Sequence, residues 1–197
     1  AKILQIDVDP AEINKNIHTH ASVIGDLKIV LRKLNARLDP MNHEEWIQHV
    51  ERMKDMYPLR YDKTQLTGPF IMETIDELTK GDAVICTEVG QHQMWTAQHF
   101  PFLHPRQLIT SGGLGTMGFG LGAAMGAAAS DPAGRPVALV TGDGSFRMNL
   151  TELSTIGYYG IPVIVVIFNN GTLGMVRQWQ TLFFGCLLYT SDAADDK

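Results

Sequence analysis

The stretch "GDGSFRMNLTELSTIGYYGIPVIVVIFNNG", residues 142–171, sets a glycine-flanked aspartate before a helical segment and two asparagines after an apolar run. The run from Ile161 to Phe168 predicts a buried strand. Asparagine is a poor strand residue, so Asn169 and Asn170 at the end of this strand indicate a function for a side chain.

Strand-like and helical segments alternate on both sides of this stretch. After Gly68, strands are predicted at 83–87, 107–110, 137–140 and 162–168, with helices between them, including one over "NLTELSTIGYY". This alternation implies a parallel sheet with crossover helices, and the uninterrupted apolar strands imply helices on both faces. The predicted fold class is therefore α/β.

The chain is predicted to contain four parts. Residues 1–38, with a strand "KILQIDV" and a helix "PAEINKN" that starts at Pro10, look like the end of a Rossmann-like α/β domain. Residues 39–67 are charged and are interpreted as a linker, and residues 68–184 as the main domain. Residues 185–197 change abruptly to small and acidic residues and are interpreted as a non-native tail.

Composition limits the possible functions. With 197 residues, 45% hydrophobic content and a net charge of −5, the chain is typical of a soluble globular protein, and no basic excess points to nucleic acid. Cys86 and Cys186 lie far apart and suggest neither a disulfide framework nor a metal knuckle, so a reducing cytoplasm is expected.

Residues 107–130 carry no charge and repeat glycine at 118, 122 and 126, a spacing known from packed membrane helices. Their glycine and alanine content is weak for insertion into lipid, so we expect a helix packed closely on a sheet and no membrane span. Gly113, Gly115 and Gly118 also match the dinucleotide fingerprint, but no acidic residue closes a following strand, which argues against a nicotinamide dehydrogenase.

Three predicted strands are followed by polar or glycine-rich turns: "EVGQH" after 83–87, "TGDGS" after 137–140 and "NNGT" after 162–168. In parallel sheets, ligands bind beyond these carboxyl ends. An Asp, an Asn and a loop carbonyl are oxygen ligands suited to magnesium or calcium, and glycine-turn amides suit phosphate. The sequence therefore predicts a metal that bridges a diphosphate to the protein.

The GDG opening and NN ending resemble the thiamine diphosphate signature. Around it, "VGQHQMW" (89–95), "SGGLGTMGFG" (111–120) and "GMVRQWQ" (174–180) closely resemble the acetolactate synthase (acetohydroxyacid synthase) catalytic subunit family. The resemblance runs from the first residue to about Phe184. It departs at Gly122, where a proline is usual, and at residues 185–197, which replace the family's continuation.

The resemblance implies a set of binding residues. Magnesium would be held by Asp143, the Asn170 side chain and the Thr172 carbonyl. The thiamine diphosphate site would comprise Val89, Gly90, Gln91, His92, Gly115, Met117, Asp143, Gly144, Ser145, Asn170, Thr172, Gly174, Met175 and Val176. Met175 and Trp179 would face the substrate channel, and Asp7 and Asp26 would lie near FAD.

Each assignment has a structural alternative. Asp143 could cap the following helix, and His92 could be a surface residue at a helix start. Trp179 could belong to the core, and Asp7 and Asp26 could be ordinary acids after strands. The remaining histidines show no ligand spacing and are interpreted as structural.

The implied reaction is thiamine diphosphate-dependent decarboxylation of pyruvate and ligation to a second 2-ketoacid, giving 2-acetolactate or 2-aceto-2-hydroxybutyrate in branched-chain amino acid biosynthesis. The implied partners are 2-ketoacid substrates, a homodimer or tetramer, and a regulatory small subunit. The cofactor-activating Glu would belong to a pyrimidine-binding domain outside this chain, so no catalytic residue is assigned here and the isolated chain is expected to be inactive. The alternatives are pyruvate oxidase, glyoxylate carboligase, sulfoacetaldehyde acetyltransferase, or a non-catalytic cofactor-binding module.

Overall fold

A computed structural model describes residues 2–131 and 134–186. The chain divides into two compact units, Ala1–Pro58 and Leu59–Lys197. The division falls inside the segment 39–67 that we predicted to be a linker. Of the predicted non-native tail, residues 187–197 lie outside the described residues.

The first unit contains two parallel strands and two helices: β1 (Leu4–Asp7), β2 (Ala21–Ile24), α1 (Leu27–Asn35) and α2 (Glu44–Met56). The predicted helix over "PAEINKN" is wrong in extent, because only a single 3-10 turn forms at Pro10–Glu12. The Asp9 carboxylate caps this turn by accepting a hydrogen bond from the Ala11 amide at 2.8 Å. Asn14 then adopts a left-handed backbone conformation (φ 62°), which prevents helical continuation.

The second unit is a four-stranded sheet with helices. Its elements are α3 (Gly68–Thr79), β3 (Val84–Thr87), α4 (Gln91–His99), β4 (Leu108–Thr110), α5 (Phe119–Ser130), β5 (Val137–Gly142), α6 (Asp143–Asn149), α7 (Leu153–Tyr159), β6 (Val163–Phe168) and α8 (Gly174–Phe183). The strand order is β4-β3-β5-β6, and all pairs are parallel. The predicted α/β class is thus confirmed.

The two faces of this sheet carry separate apolar cores. Ile85 of β3 packs with Met72 of α3 on one face, whereas Cys86 packs with Leu121 and Ala124 of α5 on the other. Successive residues of β3 and β5 alternate between two buried faces, so apolar residues are favoured at nearly every position of these two strands. This explains the uninterrupted apolar runs in the sequence.

Strand β6 lies at the edge of the sheet among the described residues. Two of its side chains stay open to solvent, Ile164 at 54% and Ile167 at 43% exposure, while Val163 and Val165 pack on the core. The strand begins at Val163 and not at the predicted Ile161, because Gly160 ends α7 in a left-handed conformation and Pro162 follows.

Helix α5 packs on the sheet through Gly120 and not through the glycine repeat at 118, 122 and 126. A Cβ atom at Gly120 would lie 2.8 Å from the Leu139 side chain and 3.0 Å from the Glu88 backbone nitrogen. Cβ atoms built at Gly122 and Gly126 would meet nothing within 4 Å among the described residues. No helix among the described residues is both long and apolar enough to cross a bilayer.

A buried glutamine fastens the start of β3 to the loop before β4. The Gln107 amide donates to the carbonyls of Gly81 (2.6 Å) and Ala83 (3.0 Å), and its oxygen accepts from the backbone amides of Leu103 and His104. All these bonds lie at the amino-terminal end of the sheet, opposite the candidate site.

Candidate functional site

Strands β3, β5 and β6 end at the same edge of the sheet, and the turns that follow them line a cleft. Its lining comes from the start of α4, the start of α6 and the segment between β6 and α8. The predicted site residues that line it are Val89, Gly90, Gln91, His92, Met117, Ser145, Asn170, Thr172, Gly174, Met175 and Val176. The structure therefore brings most of the predicted residues together.

Four of the residues predicted for the thiamine diphosphate site and the substrate channel lie outside this lining. Asp143 and Gly144 line an adjoining groove that shares Met117 and Thr172 with the cleft. Gly115 lines neither, and adopts a left-handed conformation (φ 62°) in the loop before Met117. Trp179 lies one turn beyond Met175, is 56% exposed and packs on Phe183 with 5.0 Å between ring centroids, so its channel function remains a prediction.

Sequence reasoning missed the aromatic wall of the cleft. Trp95 follows His92 by three positions on α4, and its ring lies 5.6 Å from the ring of Phe168, the last residue of β6. Leu173 is a further apolar residue of the lining. The i, i+3 spacing of His92 and Trp95 was a usable signal, because residues three apart share a helix face.

His92 is held as a neutral imidazole at the base of the cleft. Its side chain is only 5% exposed, and its ring stacks on Phe168. Burial lowers the pKa of His92 to about 4, although a hydrogen bond to the Glu88 backbone opposes the shift. Its Nε2 atom is buried without a partner among the described residues. A buried polar atom without a partner can form a hydrogen bond with a ligand that carries a donor or an acceptor.

The predicted metal ligands show the same feature. Oδ1 of Asp143 and Oγ1 of Thr172 are also buried and unpartnered within the described residues. Asp143 is the first residue of α6 and not its cap, which is Gly142. Asn170 Oδ1 accepts a hydrogen bond from the Thr172 amide at 3.2 Å, which holds the turn between them.

Within residues 2–131 and 134–186, no cluster of three or more His, Cys, Asp or Glu could hold a metal ion. A cation here would therefore take a single carboxylate together with amide and carbonyl oxygens and ligands that are not protein. This donor set fits magnesium, which commonly binds one or two carboxylates plus phosphate oxygens and water.

Gln91 is oriented by α8. Its Nε2 donates to Gln178 Oε1 at 3.1 Å, and its amide lies against Gly174, where a Cβ atom would come within 2.2 Å of Gln91 Oε1 and 3.0 Å of Asn170 Nδ2. Glycine at 174 thus lets the start of α8 approach both side chains. The sequence motifs containing Gln91 and Gly174 are joined by this contact.

Glu88 is a second residue that sequence reasoning missed. Its carboxylate is 1% exposed and accepts hydrogen bonds from three backbone amides at the start of α5. Burial raises the pKa of Glu88, and these amide donors oppose the rise. An acidic residue directly after an apolar strand was visible in the sequence, but its partners lie 30 to 33 positions away.

In the first unit, Asp7 and Asp26 occupy strand ends as predicted. Asp26 Oδ1 caps α1 by accepting from the Ile29 amide at 3.0 Å, and Asp7 Oδ1 accepts from the Asp9 amide at 3.0 Å. Both contacts are local, so the structural alternative accounts for them. Flavin contact remains a prediction.

Comparisons with known proteins agree with the geometry of the cleft. Residues 88–196 match the family described as thiamine pyrophosphate enzyme, C-terminal TPP binding domain. The chain is 45% identical over 193 residues to acetolactate synthase 1, chloroplastic, of Oryza sativa subsp. japonica, covering 93% of this chain and 30% of that protein. It is 43% identical over 186 residues to the acetolactate synthase isozyme 2 large subunit of Escherichia coli (strain K12), covering 93% and 33%. The chain thus spans about a third of the length of these relatives.

Proposed function

Since the chain belongs to the thiamine pyrophosphate enzyme family through its C-terminal TPP binding domain, we propose that it forms the diphosphate- and magnesium-binding part of an acetolactate synthase catalytic subunit. The observation that carries this proposal is a set of buried atoms that have no hydrogen-bond partner among the described residues: His92 Nε2, Asp143 Oδ1 and Thr172 Oγ1. They lie in the cleft and the groove beside it, where bound oxygen groups and a cation would satisfy them.

When bound, thiamine diphosphate supplies the carbon nucleophile and electron sink for 2-ketoacid chemistry. The residues of this chain orient it. Asp143, Asn170 and the Thr172 carbonyl would hold magnesium, and Gln91, His92 and Ser145 would contact the diphosphate. Trp95, Phe168 and Leu173 are apolar residues of the same cleft and would limit the access of water to a bound cofactor.

We assign the complete reaction, decarboxylation of pyruvate and ligation to a second 2-ketoacid, to a catalytic subunit that includes these residues. FAD near Asp7 and Asp26, a dimeric or tetrameric assembly, a regulatory subunit and a cytoplasmic location belong to the same proposal. The acetolactate synthase names of the relatives favour this activity over that of other thiamine diphosphate enzymes.

The first prediction tests the metal ligand. Asp143→Ala removes the single carboxylate of the proposed magnesium site, so the affinity for thiamine diphosphate in the presence of magnesium should fall at least tenfold. Isothermal titration calorimetry on the 197-residue chain measures it. Glu77→Ala, at an exposed position of α3, is the matched control and should bind like the wild type. Unchanged affinity in Asp143→Ala would contradict the proposal.

A further inference from the structure

Glu88 connects two walls of the cleft that are far apart in sequence. Its Oε2 accepts from the Gly118 amide at 2.7 Å, and its Oε1 accepts from the amides of Gly120 at 2.7 Å and Leu121 at 3.3 Å. These are donors that the first turn of α5 cannot satisfy within the helix. The next residues along the chain from Glu88, Val89 to His92, form one wall of the cleft, and Met117, just before Gly118, forms part of the other.

Residue Gly118 is held on its carbonyl side as well. Its carbonyl accepts a hydrogen bond from Asn149 Nδ2 at the end of α6, and its backbone is left-handed (φ 88°). A Cβ atom at Gly118 would lie 3.1 Å from both Asn149 Nδ2 and Met148 Cβ. Gly118 therefore has little freedom to move while Glu88 and Asn149 are in place.

The Glu88 side of the cleft is anchored to α6 as well. Ser145 Oγ donates to the Val89 carbonyl at 3.0 Å. The end of β3, the start of α5 and helix α6 are thus joined in a closed set of hydrogen bonds. Glu88 is the only charged member among the bonds that we describe, and buried bonds to a charged acceptor are stronger than neutral ones.

We propose that Glu88 is a positioning residue that fixes the Met117 wall of the cleft at the distance the cofactor requires, an inference that rests on the proposed function. Met117 lines both the cleft and the groove beside it, and its apolar thioether side chain suits contact with the organic part of a cofactor and not with its diphosphate. Loss of the Glu88 bonds should therefore weaken binding of the organic part of the cofactor more than binding of its diphosphate.

The test uses Glu88→Gln, which keeps the side-chain shape but turns an NH₂ group toward one of the three backbone N–H donors. The reverse exchange, Gln107→Glu, is the matched control, because Gln107 is equally buried and bonds to four backbone groups at the opposite end of the sheet. The probes are magnesium with thiamine diphosphate and magnesium with inorganic pyrophosphate, titrated by calorimetry into the 197-residue chain.

For Glu88→Gln, we expect about tenfold weaker binding of thiamine diphosphate and less than a twofold change in the binding of pyrophosphate. The increase in hydrogen-exchange rate over the wild type should be larger at the Gly118–Leu121 amides than in the strands. Gln107→Glu should lower stability without this selectivity, and Glu88→Asp should restore part of the affinity. Equal loss of both probes, or unchanged exchange at Gly118–Leu121, would overturn the inference.

Two further outcomes are distinguishable. If the wild-type chain binds neither probe, the proposed function fails, while the exchange measurement still decides whether Glu88 holds the start of α5. If Glu88→Gln does not fold, Asn149→Asp replaces it, because this change sets an acceptor against the Gly118 carbonyl and so releases Gly118 on the side that Glu88 does not hold. Asn149→Asp should then show the same selectivity, and its absence would overturn the inference.

Discussion

His92 illustrates how a single residue can connect binding to stability. Its ring lies against Gly90 and Gly142, stacks on Phe168, and has an Nε2 atom without a partner in the part of the chain that the structure describes. This burial holds the ring in its neutral form. Neutral imidazole can either donate or accept at Nε2, depending on its tautomer. It can therefore serve a ligand without adding positive charge to an apolar cleft.

The second prediction concerns pH. Because the pKa of His92 is lowered to about 4 from an ordinary value of 6.5, the unfolded chain binds a proton between these values and the folded chain does not. The stability of the ligand-free protein should be independent of this group above pH 6.5 and fall by up to about 3 kcal/mol as the pH falls to 4.

Urea denaturation at a series of pH values measures this loss. His92→Gln should flatten the curve between pH 6.5 and 4, whereas His104→Gln, at an exposed position, should keep the wild-type slope. A wild-type slope in His92→Gln would show that another group is responsible.

At single positions, the sequence revealed residues whose signal is local. Gln91, His92 and Asn170 follow apolar strands, and the strand ends of a parallel sheet converge on one edge. Glu88, Trp95 and Leu173 were missed, because what makes them important is a contact with a distant segment. The alternation of strand and helix indicates where segments meet but not which backbone amides a carboxylate will reach.

Among the elements, α5 packs closely on the sheet at one of its glycines and leaves open space beside others. The sequence indicated that this glycine-rich segment packs closely on a sheet, but the face could not be identified, since glycines occur on several sides. The helix "NLTELSTIGYY", residues 149–159, was similarly predicted as one element. Only its first residue belongs to α6, and the rest forms a 3-10 turn at Leu150–Glu152 and then α7. The Asn149 side chain, bonded to Gly118, lies at this break.

The third prediction separates the glycines of α5. Gly120→Ala should destabilise the protein by roughly 1–3 kcal/mol, because the new methyl group would overlap Leu139 and crowd the Glu88 backbone. Gly126→Ala, which meets nothing within 4 Å, should stabilise it by about 0.5–1 kcal/mol through helix propensity. Thermal unfolding followed by circular dichroism compares the two, and equal effects would contradict the assigned packing face.

At the scale of the whole molecule, the sequence was sufficient for the α/β class and for the edge of the sheet at which the site lies. It was insufficient for the depth and shape of the cleft, which depend on how Trp95, Phe168 and Leu173 meet across three segments. Apolar patterning determines which residues are buried, whereas the contacts among them depend on side-chain packing.

The fourth prediction concerns the edge strand β6. An exposed strand edge with apolar side chains promotes pairing between molecules, and a lysine on such an edge opposes it. Ile164→Lys should therefore reduce concentration-dependent association of the 197-residue chain, measured by dynamic light scattering. Ile164→Leu, which keeps the apolar surface, should behave like the wild type, and equal association in both variants would show that β6 is not responsible.

Cys86 lies at the centre of the sheet, fully buried, and burial raises the pKa of its thiol to about 12. The thiolate is the form that attacks oxidants and alkylating reagents, so at neutral pH this sulfur is both shielded and un-ionised. Cys186 is exposed and lacks this shielding. On storage in air, disulfide bonds between molecules should therefore form first through Cys186. Modification of Cys86 should proceed only as fast as the sheet opens, so the rate at which this thiol is modified reports the rate of unfolding.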